Sequence, residues 1–169
     1  MKRVTITINK QRVLECIDAL TFKRVDGVMA DQAEQVRNAL SSDSTESLDK
    51  SLLHNYMEGR DAELRARLAF CLVSEDDECL SFSNDSLSEE LSFVYELNAP
   101  DHYNKDTLKA LAQKIHKYFV DGVTYDWYSR QGIAHSVGAV ELDAMLTDIV
   151  VSLRKPFVRR PLQPFGPAI

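Results

Sequence analysis

The stretch from Asp106 to Arg130, DTLKALAQKIHKYFVDGVTYDWYSR, constrains the fold more than any other part of this chain. Its apolar residues recur at helical spacing and cover about 200° of the helical wheel, whereas an ordinary surface helix needs only ~100°. We therefore predict a helix that packs on two sides, at the centre of its domain. The predicted inward residues are Leu108, Leu111, Ala112, Ile115, Phe119, Gly122 and Val123, flanked by Tyr118, Val120, Tyr125 and Trp127, while Ala110, Gln113, Lys114, Lys117, Asp121 and Thr124 are predicted to face water.

The bulk composition is that of one globular domain. The chain has 169 residues, of which 44% are hydrophobic and 27% are charged, close to the averages for folded proteins. We expect a single domain over 1–155 with a polar linker near 41–47, followed by an extended arm over 156–169. The net charge of −6 argues against a nucleic-acid partner bound through a broad basic surface, because such binding needs clustered Lys and Arg.

Helical spacing predicts about six helices in total. Besides the central one, the predicted helices cover 10–24, 31–40, 48–59, 61–72 and 135–153. Asn9 is expected to cap the first of them, and Asp106 the central helix. Gly59 is expected to separate the third from the fourth, with Arg60, Arg65 and Arg67 pointing outward toward nearby Glu residues.

Alternating patterns predict a small antiparallel β element. Val4–Ile8 reads VTITI, with a β-branched residue at every position. Leu80–Phe82 and Leu91–Leu97 also alternate, so we expect them to form a strand pair. A lone hairpin is marginal in water, and this pair should therefore lie on the helices or pair with Val4–Ile8. The predicted fold class is α+β, dominated by helices.

No motif for catalysis, cofactors or metals is present in the sequence. The histidines are His54, His102, His116 and His135, none at metal-ligand spacing, and the six glycines are too scattered for a phosphate-binding loop. Cys16, Cys71 and Cys79 are expected to be reduced, with Cys16 and Cys71 on the apolar sides of helices, and none is singled out as a nucleophile. We predict no cofactor, no metal and no catalytic residue.

The chain is expected to be cytoplasmic or assembled in the cytoplasm. Its first residues, MKRVTITINKQRV, lack the apolar core of a signal peptide, and no apolar run is long enough to span a membrane. Three free cysteines without a CxxC spacing fit a reducing compartment.

Asp126 is the most unusual residue by position, because it lies on the apolar stripe of the central helix. A buried carboxylate is costly without a partner. The helix end emerges into solvent there, or Asp126 pairs with Arg130 at i+4. The alternatives are that Asp126 accepts from an Arg or a backbone donor across an interface, or that it serves catalysis.

Two groups of residues are candidates for a protein interface. Tyr118, Tyr125 and Tyr128 lie to one side of the central stripe, where they serve either the core or a partner surface. The Pro-rich arm over 156–169 offers a second surface that either docks on another chain, packs on its own domain or forms a tail. Its interface candidates are Phe157, Arg159, Arg160, Leu162 and Phe165.

The second half of the chain, Leu91 to Lys155, resembles a group of phage proteins. The features are a strand ending ELSFVYEL, a junction with Pro100 and Tyr103, a long helix that closes on VTYDW, and a second amphipathic helix. This order resembles small proteins of tailed phages and prophages of Bacteroidetes-type bacteria, of the head–tail connector or tail-completion type. The resemblance implies a non-enzymatic building block and brings no catalytic residues.

These observations favour a structural or assembly protein that acts through protein–protein contacts. The expected partners are further copies of itself or another virion-type protein, and no membrane. The alternative is a cytosolic enzyme or small-ligand-binding protein with a site near Asp101, His102, Asp126 and Trp127. A regulatory adaptor for another protein is a third possibility.

Overall fold

A computed structural model describes residues 1–25, 47–73, 91–101, 103–130, 132 and 136–154 of the chain. In this part, four helices pack with one two-stranded sheet, which confirms the helix-dominated class. In chain order the elements are β1 (Lys2–Asn9), α1 (Lys10–Val25), α2 (Ser47–Leu68), β2 (Ser92–Ala99), α3 (Lys105–Arg130) and α4 (Ala139–Arg154). The helix predicted over 31–40, the strand over 80–82 and the arm over 156–169 lie outside the described residues.

The predicted break at Gly59 is wrong, because α2 continues through it. Glycine inside a helix costs about 1 kcal/mol relative to alanine, which packing can offset. Met57, Leu64 and Leu68 on either side of Gly59 are fully buried, so one rigid helix holds them all against the core. The described part therefore has one helix where the sequence predicted two, and four in place of about six.

The central position of α3 is confirmed. It contacts α1, α2, α4 and β1, so it is packed on more than one side as its wide apolar sector predicts. Its buried residues are Leu111, Ile115, Tyr118, Phe119, Val120, Gly122, Val123, Thr124, Trp127 and Tyr128. Thr124 was predicted to face water and is instead buried, because its hydroxyl donates to the Val120 carbonyl at 2.6 Å and is satisfied within the helix.

The sheet pairs β1 with β2 in antiparallel orientation, from Lys2 opposite Ala99 to Asn9 opposite Ser92. The strand predicted over Leu91–Leu97 thus pairs with Val4–Ile8. Its predicted pairing with Leu80–Phe82 lies outside the described residues. The inner face is apolar: Ile6 and Ile8 on β1, and Phe93, Tyr95 and Leu97 on β2, are buried. The sheet thus closes one side of the helical core.

The start of α1 is capped as predicted, whereas the starts of α3 and α4 differ from the prediction. The Asn9 side chain accepts from the Arg12 amide at 3.0 Å, as predicted for the cap of α1. Asn104, not Asp106, caps α3, since its Oδ1 accepts from the Thr107 amide at 2.9 Å. The last helix begins at Ala139 rather than near 135, where Glu141 accepts from the Gly138 amide.

Candidate interaction surface

Three residues of the predicted enzyme site are described by the structure, and Asp101 does not lie beside Asp126 and Trp127. Asp101 is exposed and contacts the amino group of Met1 at 2.7 Å, before the start of α3. Asp126 lies near the other end of this helix, roughly 30 Å away at 1.5 Å rise per residue. Trp127 is 2% exposed and packs edge-on against Tyr128. His102 lies outside the described residues.

The predicted aromatic interface residues are mostly used within the chain. Tyr118 and Tyr128 are 0% and 4% exposed, so neither side chain presents a surface to a partner in this conformation. Tyr125 is half-buried against the core. The other candidates, Phe157, Arg159, Arg160, Leu162 and Phe165, lie outside the described residues.

Asp126 belongs to a polar cluster that joins α2 to α3. Its carboxylate accepts two hydrogen bonds from the Arg60 guanidinium, at 2.8 Å from Nε and 2.5 Å from Nη2. Arg60 also donates to Glu63 at 3.0 Å, and Glu63 accepts from the Tyr118 hydroxyl at 2.6 Å. The partner of Asp126 is thus an Arg across a helix contact rather than Arg130. Arg60, predicted to point outward, is turned inward because this carboxylate faces it.

The cluster alters the proton affinity of its members. Burial lowers the pKa of Arg60, but the hydrogen bonds to Asp126 and Tyr118 outweigh it and the pKa is raised, so the guanidinium stays charged. Burial raises the pKa of the Tyr118 hydroxyl, and its hydrogen bond to Glu63 raises it further. A charged Arg60 held by two carboxylates, beside a neutral phenol, is a fixed cross-link between helices.

A second polar group protects the outer edge of β2. The Tyr95 hydroxyl donates to Asp61, and the same carboxylate accepts from Arg65 Nε at 2.7 Å. Arg65 also donates to the Val94 carbonyl at 3.1 Å, a backbone group on the edge of β2 that faces away from β1. An unpaired carbonyl of this strand is therefore satisfied by a side chain of α2.

The segment that follows α2 covers the rest of that edge. Leu72 forms an antiparallel bridge with Leu97. The Val73 amide donates to the Glu96 carbonyl at 2.9 Å, and the Asn98 amide donates to the Cys71 carbonyl at 2.7 Å. Together with Arg65, this leaves β2 without an open edge along its central part.

These bonds also fix which groups of β1 point outward. Since the backbone of Glu96 and Asn98 faces away from β1, that of Tyr95 and Leu97 faces toward it. The register then directs the amides and carbonyls of Ile6 and Val4 to β2. The backbone groups of Arg3, Thr5 and Thr7 point to the opposite side, at the outer edge of β1.

The outer edge of β1 differs from that of β2 in the residues that the structure describes. Within the described part of the chain, no strand or segment pairs with it. The side chains of Arg3, Thr5 and Thr7 are exposed, and so is that of Asn9. A strand edge of this kind presents a row of donors and acceptors to which another strand can bind.

Only part of this surface can be predicted from the sequence. The VTITI alternation predicts the strand, and its β-branched residues predict a high tendency to pair. The cover over β2 has no sequence signal, because Asp61, Arg65 and the segment at Leu72 are distant from β2 along the chain. Which strand keeps an open edge is therefore visible only in the fold.

The described residues contain no group of three or more His, Cys, Asp or Glu residues that could hold a metal ion. None of the helices in these residues is both long and apolar enough to cross a membrane. Cys16 was predicted to lie on the apolar side of its helix and is instead exposed, because Val13 and Ile17 form the buried stripe.

The chain matches no family model, no curated protein and no solved structure.

Proposed function

We propose that this chain is an assembly protein and that β1 is the strand through which it associates with a second copy of itself. The observation that carries the proposal is the asymmetry of the sheet. One edge is covered by Arg65 and by the segment at Leu72, whereas the edge at Thr5 has no partner in the described part of the chain. Folded proteins usually protect such edges unless the edge is used.

A second copy fits this edge in antiparallel orientation. With Thr5 opposite Thr5 of the second copy, Arg3 lies opposite Thr7, and the outward backbone groups of each pair are hydrogen-bonded to each other. Val4 then lies opposite Ile6 of the second copy on the inner face. Two sheets of two strands become one sheet of four, which is more stable than a two-stranded ribbon.

The side chains of β1 are compatible with this pairing. In the Thr5-centred register no two like charges lie directly opposite, because Arg3 faces Thr7 and Lys2 faces Ile8. Cross-strand pairs of threonine also stabilise an antiparallel sheet. Arg3 is already paired with Glu96 of its own chain, which limits repulsion between the Arg3 side chains of the two copies.

Because Leu91–Lys155 resembles tailed-phage proteins, we further propose that the chain is a building block of a phage head–tail connector or tail. The arm over 156–169 would then supply a second contact to a neighbouring subunit. Both parts rest on the sequence, and the association through β1 does not depend on them.

The proposal is tested by the solution mass of two variants at one position. Thr5→Pro removes an outward amide and places a ring on the open edge, but it removes no hydrogen bond to β2. Thr5→Ala keeps the amide and is the matched control. Sedimentation equilibrium should give an associating native protein, an associating Thr5→Ala protein and a monomeric Thr5→Pro protein with unchanged helical circular dichroism. A native protein that stays monomeric at all concentrations, or a Thr5→Pro protein that associates as the native one does, contradicts the proposal.

A further inference from the structure

The last helix, α4, is apolar on two opposite sides. The side that packs on the core consists of Leu142, Leu146, Ile149 and Leu153. About 180° away on the helical wheel lies a second, largely apolar stripe, which consists of Val140, Ala144, Thr147 and Val151. Val140 is 80% exposed, Ala144 and Thr147 are exposed as well, and Val151 is half-buried. We call this second stripe the outer face of α4.

A helix that is apolar on two sides is expected to have partners on both of them. The same reasoning applied to α3 is confirmed, because α3 packs against three helices and β1. The helices that pack against α4 are α2 and α3, and their contacts leave Val140, Ala144 and Thr147 exposed. The outer face of α4 is therefore a surface on which a further partner is expected.

Carboxylates flank the outer face and restrict what can cover it. Glu141 and Asp148 lie on one flank and Asp143 on the other. Each of the two aspartates lies 2.7 Å from a basic side chain of α2 or α3, but these ion pairs are exposed and therefore weak. A second copy of α4 would bring like carboxylates together, so an apolar segment with positive charge fits better. The arm over 156–169 is such a segment, because its charged side chains are Arg159 and Arg160, whereas the rest of the chain carries a net charge of −8.

The sequence of the arm contains a repeat of three residues. Residues 161–169 read PLQ, PFG and PAI, with a proline at the first position of each triplet. An apolar residue follows each proline, and these residues are Leu162, Phe165 and Ala168. In a polyproline II helix, which has three residues per turn, such a repeat aligns the prolines along one edge and the apolar side chains along the next. Two adjacent apolar edges form a ridge that can lie along an apolar surface of a partner.

We propose that the arm of one copy binds the outer face of α4 of a second copy. The proposal rests on the assembly function proposed above and names the surface that its arm-mediated contact uses. In a polyproline II helix the arm over 156–169 would span roughly 43 Å, at about 3.1 Å per residue, whereas α4 is roughly 24 Å long. The arm can therefore leave its own copy and still cover the whole outer face. Val140 is exposed in the single chain, which favours the arm of a second copy over the chain's own arm.

The test is a photo-crosslink from the arm of the full chain, with benzoylphenylalanine, a photoreactive analogue of phenylalanine, in place of Phe165. This unlabelled chain is mixed with an excess of the native chain labelled with nitrogen-15, so that mass spectrometry assigns each end of a crosslink to one of the two copies. The unlabelled arm should crosslink to labelled peptides of α4. Ala144→Lys in the labelled chain should remove this product, because it places a positive charge and a long side chain on the outer face. Ala62→Lys, at an exposed position of α2, is the matched control and should leave the product unchanged.

Crosslinks that stay within the unlabelled chain show an arm that packs on its own domain and overturn the proposal. Labelled products outside α4, the absence of any labelled product, or a product that persists with Ala144→Lys overturn it as well. The crosslink map of the native chain keeps the test decisive if Ala144→Lys disturbs the fold, which circular dichroism would reveal. A chain that forms this product but does not associate through β1 contradicts the role of β1 alone, and a β1-mediated dimer without the product contradicts this inference alone.

Discussion

The side chain of Arg60 lies across Gly122, so that α2 and α3 approach each other where α3 has no side chain. A Cβ added at Gly122 would come within 3.0 Å of both Cδ and Nε of Arg60. This close approach lets the guanidinium reach Asp126, one turn further along α3. The absence of a side chain at Gly122 therefore provides the space in which the Arg60 side chain packs on α3.

Gly122→Ala should destabilise the protein by about 1–3 kcal/mol, because the new methyl group displaces a side chain that is held at both carboxylates. Gly59→Ala is the matched control. It lies in the exposed middle of α2 with no atom within 4 Å of the added Cβ, so it should stabilise by about 0.5–1 kcal/mol. Urea denaturation of both variants checks the pair. Equal effects of the two substitutions would mean that Arg60 does not occupy this position.

Arg60 and Asp126 should be energetically coupled. Their side chains are 14% and 25% exposed, so removing one leaves a partly buried charge without its partner. Each of Arg60→Met and Asp126→Asn should cost about 1–3 kcal/mol, and the double variant less than the sum. The exposed pair Arg67 and Asp143 is the control and should show coupling of at most about 0.5 kcal/mol. A double-mutant cycle with the same coupling at both pairs would contradict the assignment.

The central helix could be predicted from sequence, and its polar contacts could not. The helix with the widest apolar sector is predicted to lie in the middle, because only packing on several sides can bury all of its apolar residues. Asp126 stood out for the same reason, as a carboxylate on that face. Its partner Arg60 could not be predicted in the same way. The sequence places Arg60 on an exposed side of its helix, and only the packing of α2 on α3 shows that it faces Asp126. Gly59 predicts a helix break by its local propensity, whereas burial of Met57 and Leu64 keeps α2 continuous through tertiary packing.

The buried phenols should limit stability at alkaline pH. Burial raises the pKa of Tyr95, as does Asp61 beside it, and burial together with Glu63 raises that of Tyr118. The unfolded chain then ionises first, at a pKa of about 10, so it binds fewer protons than the folded chain and stability falls as pH rises above that value. A titration followed by tyrosinate absorbance should show these phenols ionising in one step with loss of helical circular dichroism. Smooth ionisation of every tyrosine in a protein that stays folded would contradict their burial.

Truncation of 156–169 separates the two proposed contacts. From the sequence, Pro156, Pro161, Pro164 and Pro167 are expected to disfavour a regular helix in this segment, and Phe157, Leu162 and Phe165 are its proposed apolar anchors. If the arm binds a neighbouring subunit, its removal should leave thermal unfolding cooperative and weaken association, while the β1-mediated dimer remains. Light scattering and thermal melts report both properties. A truncated protein that melts at a much lower temperature with unchanged mass indicates an arm that packs on its own chain.

The most direct measurement of association through β1 is hydrogen–deuterium exchange at single amides, at low and at high protein concentration. In the monomer, the amides of Val4, Ile6 and Ile8 are bonded to β2 and should be protected, whereas those of Thr5 and Thr7 face the open edge and should exchange fast. The account predicts that Thr5 and Thr7 become protected at high concentration while their neighbours change little. Fast exchange at Thr5 and Thr7 under conditions where the protein is shown to associate would place the contact elsewhere and contradict the account.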